Sequence, residues 1–339
     1  MKTLLWTKAQ VMEMQEIEKP AVKSDEVLVK VEAAGVCGSE IEGYLGHNSL
    51  RVPPLVMGHE FAGTIAEVGS AVKHIAMNDR VVVNPLISCG KCGSCRKGYE
   101  NLCETRQIIG IHRPGGFAEY VAVPASCIWP IPDSLDFITA SLTEPLACSL
   151  RATKRAMAAN PFANVVVYGA GAIGLLSALV AQMMGASNVI IFDINEKRLE
   201  TVRNSGIEHA LLSNDPDLKN KLAEIVGERG VDVIIDAAGF VPTRLQAIEI
   251  INYGGTIMNI GLGVDETPIP VNVQIRSEIT FLASFCYTKQ DFYEALEVLK
   301  SGKIKHDVWS EIRTLEEGDG AFQDLINNRV INSKIFMTV

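Results

Sequence analysis

The 339-residue sequence predicts two domains of different class: a β-rich, barrel-like unit and an α/β unit built on a doubly wound parallel sheet. Three observations carry this expectation. Up to about residue 150 the chain shows short valine-rich runs broken by glycine, the look of antiparallel strands joined by turns. From about residue 160 apolar strands alternate with helical stretches. A glycine-rich turn separates the first of those strands from its helix.

Taken in order, "EVLVKVEAAGVCGSE" (26–40), "FAGTIAEVGSAV" (61–72), "DRVVVNP" (79–85) and "GGFAEYVAVPAS" (115–126) are the strand-bearing segments of the first domain. "WPIPDSLDFITASLTEPLACSLRATKRA" shifts to helical periodicity after two prolines and reads as an inter-domain helix. "NVVVYGAGAIGLLSALVAQMMGA" is strand, turn and helix, and "SNVIIFDINEKRLETVRNSG" repeats strand then helix. "VDVIIDAAG" and "GGTIMNIG" are further buried-strand candidates on either side of helical "PTRLQAIEII". After about residue 283, "KQDFYEALEVLKSGK" and "RTLEEGDGAFQDLINNR" read as amphipathic helices, and the strand "SKIFMTV" closes the chain. These last elements are expected to rejoin the first domain.

A net charge of −9 argues against a general affinity for nucleic acid or anionic membrane. Lys8, Gln10 and Glu13 interrupt any signal-like apolar core, and no apolar run approaches the length of a membrane span. The expected location is the cytoplasm.

"CGKCGSCRKGYENLC" places Cys89, Cys92, Cys95 and Cys103 in C-x2-C-x2-C-x7-C register. In a reducing compartment such a cluster points to metal rather than disulfides. Four thiolates fill a zinc tetrahedron and leave no open position, so the expected role is structural, with free or redox-active thiols as the alternative.

"GAGAIG" sets Gly169, Gly171 and Gly174 in G-x-G-x-x-G register between a strand and a helix, with Asp193 closing the next strand 22 residues beyond Gly171. This is a Rossmann dinucleotide fingerprint. The pyrophosphate is expected on the helix N-terminus beside Ala172 and Ile173. Asp193 would accept from the ribose hydroxyls and repel a 2′-phosphate, favouring NAD, although Arg198 nearby could soften that preference. Ile260 and Leu262 are further candidate cofactor contacts.

Cys37 in "GVCGSE", His59 and Glu60 in "GHEF", and Glu144 in "TEPLAC" each have an ordinary explanation when taken singly. Together with the other motifs they carry a resemblance. "GVCGS", "GHEFAG", the four-cysteine lobe, "GGFAEY", "EPLA" and "GAGAIG", in that order, resemble the zinc-dependent medium-chain dehydrogenases, the superfamily of alcohol, sorbitol and threonine dehydrogenases.

The resemblance implies a GroES-like β-barrel catalytic domain over 1–148 and 284–339, a structural zinc lobe over 86–106 and a Rossmann NAD-binding domain over 149–283. It implies two zinc ions per chain, with Cys37 and His59 ligating the catalytic one. Glu144 matches a position held by cysteine in the alcohol dehydrogenases proper. A glutamate there looks like the polyol branch, in which Glu60 or Glu144 completes the shell with water. Carboxylate oxygen is a harder ligand than thiolate, so the metal should remain a stronger Lewis acid. Cys148, one helical turn beyond Glu144, is expected as a packed thiol.

Ser39 matches the family residue that passes the alcohol proton outward. The sequence departs from the family at Glu42, where many relatives carry the outermost relay histidine, and at Glu40, where aspartate is usual. Either Glu42 or water then completes the relay. Tyr44, Arg51 and Phe285 are candidate pocket walls; Arg51 is either a phosphate ligand or a solvated loop residue.

The implied reaction is oxidation of a secondary alcohol of a polyol or sugar alcohol to the ketone, with hydride transfer to NAD. A phosphorylated polyol, threonine and a simple secondary alcohol remain open as substrates. A non-catalytic NAD- and zinc-binding protein is the reading from another class. Relatives imply a homodimer or homotetramer, with "EITFLASF" (278–285) as the candidate edge strand.

Overall fold

Apolar residues dominate Glu26–Gly35, and that run forms the strand on which the first domain is organised. Val27, Leu28, Val29 and Val31 are fully buried. The computed structural model describes residues 1–339, and the chain divides into two compact units. The first comprises Met1–Glu144, Thr288–Val330 and Lys334–Val339; the second comprises Pro145–Tyr287 and Ile331–Ser333.

In the first unit a seven-stranded sheet runs in the order Ile128–Pro130, Arg80–Val83, Glu60–Val68, Glu26–Gly35, Lys334–Thr338, Ser310–Thr314, with Tyr120–Pro124 also paired to Glu26–Gly35. All pairings are antiparallel except that of the last two strands. Glu60–Val68 lines one edge of the central strand. On the other edge Tyr120–Pro124 takes its first half, and Phe336–Thr338 pair with Ala33–Gly35. Leu4, Trp6, Phe61, Phe117 and Phe322 fill the core beneath. The strands Leu86–Ile87 and Gln107–Ile108 pair antiparallel and bring together the two ends of the cysteine lobe.

The second unit is a six-stranded parallel sheet in the order His209–Leu212, Asn188–Asp193, Asn164–Tyr168, Val231–Asp236, Ile251–Asn259, Thr280–Ala283. In order of occurrence within the unit this is 3-2-1-4-5-6, the doubly wound arrangement that opens a ligand crevice where the order reverses. Asn164–Tyr168 is buried throughout, as a strand covered on both faces must be.

Two segments differ from the sequence expectation. The stretch after Trp129 is two helices, Phe137–Ser141 and Thr143–Met157; the Asp136 carboxylate caps the first by accepting from Thr139 N–H at 2.8 Å. Helical structure in "RTLEEGDGAFQDLINNR" is confined to a short 3-10 turn and Gly318–Ile326, because Ser310–Thr314 is drawn into the sheet by Lys334–Thr338.

Candidate active site

The central strand ends at Gly35, and Cys37 becomes the N-cap of the helix Gly38–Tyr44. Glu40, in the first turn, accepts from the Cys37 backbone N–H at 3.0 Å. The same carboxylate accepts from Gly58 N–H at 2.9 Å and lies 2.7 Å from His59 Nδ1. One buried carboxylate therefore fixes both the cysteine loop and the imidazole. A His59 that donates through Nδ1 presents Nε2 as its ligating atom. Burial would raise the Glu40 pKa, but His59 and then Arg51 outweigh it and hold the carboxyl below its ordinary value.

Ligand atoms of Cys37, His59 and Glu60 lie within 4.8 Å of one another. Glu60 is 1% exposed; its Oε2 pairs with the Lys334 ammonium, while its Oε1 is buried without a hydrogen-bond partner. An orphaned carboxylate oxygen beside a thiol and an imidazole is what a metal with mixed S, N and O ligands needs, so the donor set fits zinc. Glu144 is also buried but lies outside this three-residue group.

Ser39 Oγ–H points to Cys37 Sγ at 3.4 Å. Arg51 is 3% exposed and donates from Nη1 to the Ser39 carbonyl at 2.9 Å and from Nη2 to Ser39 Oγ at 3.1 Å. The solvated-loop expectation for Arg51 does not hold: the side chain is buried and its fork is turned onto Ser39. Tyr44 also departs from its expected place at the pocket wall. Its ring is fully buried against Phe322, and its hydroxyl meets Gln10 O at 2.9 Å and Asp319 Oδ1 at 3.2 Å, leaving no surface for a substrate. Burial, then Asp319, pushes its pKa up to about 12. Glu42 is exposed, with His47 Nδ1 3.3 Å from its Oε2. Phe285 and Cys148 are half-buried residues of the second unit.

The four lobe sulfurs form their own group, again within 4.8 Å of one another. Gly90 and Gly98, at φ of +69° and +79°, supply the left-handed turns that fold the lobe back on itself. Cys92 N–H and Cys89 N–H donate to Cys89 Sγ and Cys103 Sγ, each at 3.3 Å. The Lys91 and Cys92 N–H groups push the Cys89 pKa down, toward the thiolate that zinc requires. Four sulfur ligands close the coordination shell, and the fit is to a structural zinc.

In the second unit Gly171 caps the helix Ala172–Met183, and the space where its side chain would stand is open, as a cradle for pyrophosphate requires. A Cβ on Gly174 would collide with the Gly169 carbonyl, so this glycine sets the close helix–strand approach. Asp193 accepts from Ala170 N–H at 2.7 Å and Asn195 N–H at 2.8 Å, which anchors its carboxylate at the strand end. Arg198 sits half-buried in the first turn of the following helix; Ile260 is half-buried and Leu262 exposed.

Lys334 went unnoticed as a site residue in the sequence. Its signal is a lysine in the otherwise apolar strand "SKIFMTV", a charge on an element that has to be buried.

A β-sheet unit that carries both candidate metal groups, together with a parallel-sheet unit of Rossmann strand order, defines the class of two-domain zinc-binding dehydrogenases. Residues 23–133 match the alcohol dehydrogenase GroES-like domain, and residues 172–301 match the zinc-binding dehydrogenase family. Sorbitol dehydrogenase of Bacillus subtilis is 31% identical over 331 residues, covering 95% of this chain and 93% of that one. A protein described as a short chain alcohol dehydrogenase of Escherichia coli CFT073, solved with NADH, superposes with a TM-score of 0.91 at 30% identity, covering 100% of this chain and 99% of that one. Galactitol-1-phosphate dehydrogenase of Escherichia coli superposes with a TM-score of 0.90 at 27% identity, with full coverage of both chains. The chain belongs to the zinc-binding alcohol dehydrogenase family.

Proposed function

We propose that the protein is an NAD-dependent zinc dehydrogenase that interconverts a secondary alcohol of a polyol or sugar alcohol and the corresponding ketone. The observation that carries this reading is the Cys37–His59–Glu60 group with its orphaned Glu60 oxygen. One thiolate, one imidazole and one carboxylate leave a fourth position for a substrate oxygen. Zinc held there would lower the pKa of a bound hydroxyl and polarise a bound carbonyl. The protein's own contribution is positional: Glu40 fixes the imidazole and the cysteine loop, and Ser39 stands beside Cys37 to accept the alcohol proton. Asp193 supports NAD over NADP, because a second negative charge at the ribose would meet a carboxylate.

The engagement of Arg51 with Ser39 supports an uncharged polyol over a phosphorylated one, since the arginine's fork is already occupied. Thr280–Ala283 lies at the sheet edge in a unit that also exposes Tyr253, Val271, Val273 and Ile275, and we assign this edge to pairing between copies in a homodimer or homotetramer. No helix is long and apolar enough to cross a membrane. The eight cysteines, none in a disulfide, fit a reducing compartment, and we place the protein in the cytoplasm.

A panel of polyols, polyol phosphates, threonine and secondary alcohols, followed by NADH formation with NADP as control, tests the reading. Turnover of an uncharged polyol with NAD is expected. No turnover of any hydroxyl compound, or turnover with NADP alone, would overturn it.

A further inference from the structure

The Arg51 guanidinium is buried, and burying a charge is unfavourable unless the charge is used. Both of its hydrogen bonds go to one residue, Ser39, and its Nε is buried without a partner. The buried Glu40 carboxylate feels this charge, but no hydrogen bond joins the two, as a bidentate pair placed for stability would. Here the two teeth of the fork grip the carbonyl and the hydroxyl of the same serine.

The route of the side chain is also provided for. Ser39 and Gly43 are one turn apart on the helix Gly38–Tyr44, and a Cβ on Gly43 would run into Arg51 Cδ. Gly43 thus leaves a groove in which the arginine stem lies along the helix and reaches Ser39.

We propose that Arg51 is a positioning residue for proton transfer, fixing Ser39 Oγ so that one lone pair is occupied and the other faces the substrate hydroxyl. The inference rests on the alcohol-oxidation reading above. A serine oxygen has two acceptor sites and one proton. With the Arg51 Nη2–H on one site, the substrate O–H donates to the other. The substrate proton then arrives on Oγ as the serine's own proton, which rests toward Cys37 Sγ, turns to a solvent water and leaves, so the hydroxyl is regenerated and no charge remains on it. Without Arg51 only the 3.4 Å contact with Cys37 Sγ holds the hydroxyl against rotation among its staggered positions, and the aligned fraction falls.

Two variants test this without deleting the arginine stem. Arg51→Lys cannot bridge both Ser39 oxygens, and Gly43→Ala displaces the intact guanidinium. Each is expected to lower kcat about tenfold, the loss of roughly one well-placed hydrogen bond, with KM within about twofold of wild type. The solvent deuterium isotope effect on kcat should rise in both, because proton transfer becomes slower while hydride transfer is untouched. A crystal structure of Gly43→Ala should show the Ser39 side chain turned away from its present place 3.4 Å from Cys37 Sγ. Wild-type kcat and isotope effect in both variants, or an unmoved Ser39 rotamer, would overturn the proposal. A wild-type enzyme inactive on every alcohol would instead sink the functional reading on which it rests.

Discussion

Lys334 and Glu60 meet across Gly35. Gly35 pairs with Glu60 on one neighbouring strand and with Phe336 on the other, and any side chain at Gly35 would strike both the Glu60 carboxylate and the Lys334 stem. The ion pair is buried on both sides, and one of the two charges belongs to the candidate metal ligands. Burial would lower the Lys334 pKa, but Glu60, and then Cys37, hold it above its ordinary value. Lys334 thus balances charge behind the candidate metal group, while Glu60 Oε1 keeps no hydrogen-bond partner and is available to a metal.

Breaking that pair should be severe in the zinc-free protein. Lys334→Ala leaves the Glu60 carboxylate buried and unpaired, an effect of about 3–5 kcal/mol. Urea unfolding of the zinc-free variant should show a midpoint lowered to match, with Lys334→Arg retaining most of the stability. An unchanged midpoint would mean that the pair contributes nothing to the fold.

The lobe should be separable from the chemistry. Cys95→Ser is expected to lose one of the two zinc ions the groups can hold and to lower the melting temperature. Folded molecules should still turn over. Loss of turnover with a normal melt would place the chemistry in the lobe.

Cofactor choice should follow the Asp193 carboxylate. Asp193→Ala removes both the ribose acceptor and the repulsion of a 2′-phosphate. The KM for NAD should rise by about tenfold to a hundredfold, the range of one charged hydrogen bond, while NADP turnover improves. Steady-state kinetics with both cofactors reads this directly, and an unaltered NAD:NADP ratio would remove Asp193 from the ribose site.

Acid stability should depend on Glu26 and Arg113. Burial raises the Glu26 pKa, but the bonded Arg113 outweighs it and holds the group below its ordinary value of 4.5. A lowered folded pKa means stability that is present above about 4.5 and lost as pH falls through the folded value. Wild type should therefore lose stability below that pH more steeply than Glu26→Gln. Parallel stability–pH curves would show the pair to be silent.

The parts of the fold and site written in local spacing were legible in the sequence. The four-cysteine register, the glycine turn before Ala172 and the strand–helix alternation after residue 160 each depend on neighbours close in the chain. Lys334 was not legible as a partner of Glu60, because 274 residues separate the two and only the strand register brings them together. Tyr44 was misplaced, and the solvated reading of Arg51 failed, for a related reason. Their positions near "GHE" say that they lie close to the site, but not which way the side chains turn. Tyr44 turns inward to Phe322, and Arg51 folds back along the helix to Ser39. The expected helix starting at Arg313 failed because pairing with a strand from the far end of the chain outweighed local periodicity.

The most direct test is the zinc content and turnover of Cys37→Ala, compared with wild type. With Cys37, His59 and Glu60 as the open site and the four-cysteine group as the closed one, wild type should carry two zinc ions per chain. The variant should keep the lobe zinc, melt near the wild-type temperature, and form no NADH from any polyol. Two zinc ions retained in the variant, or NADH formation at the wild-type rate, would contradict the assignment.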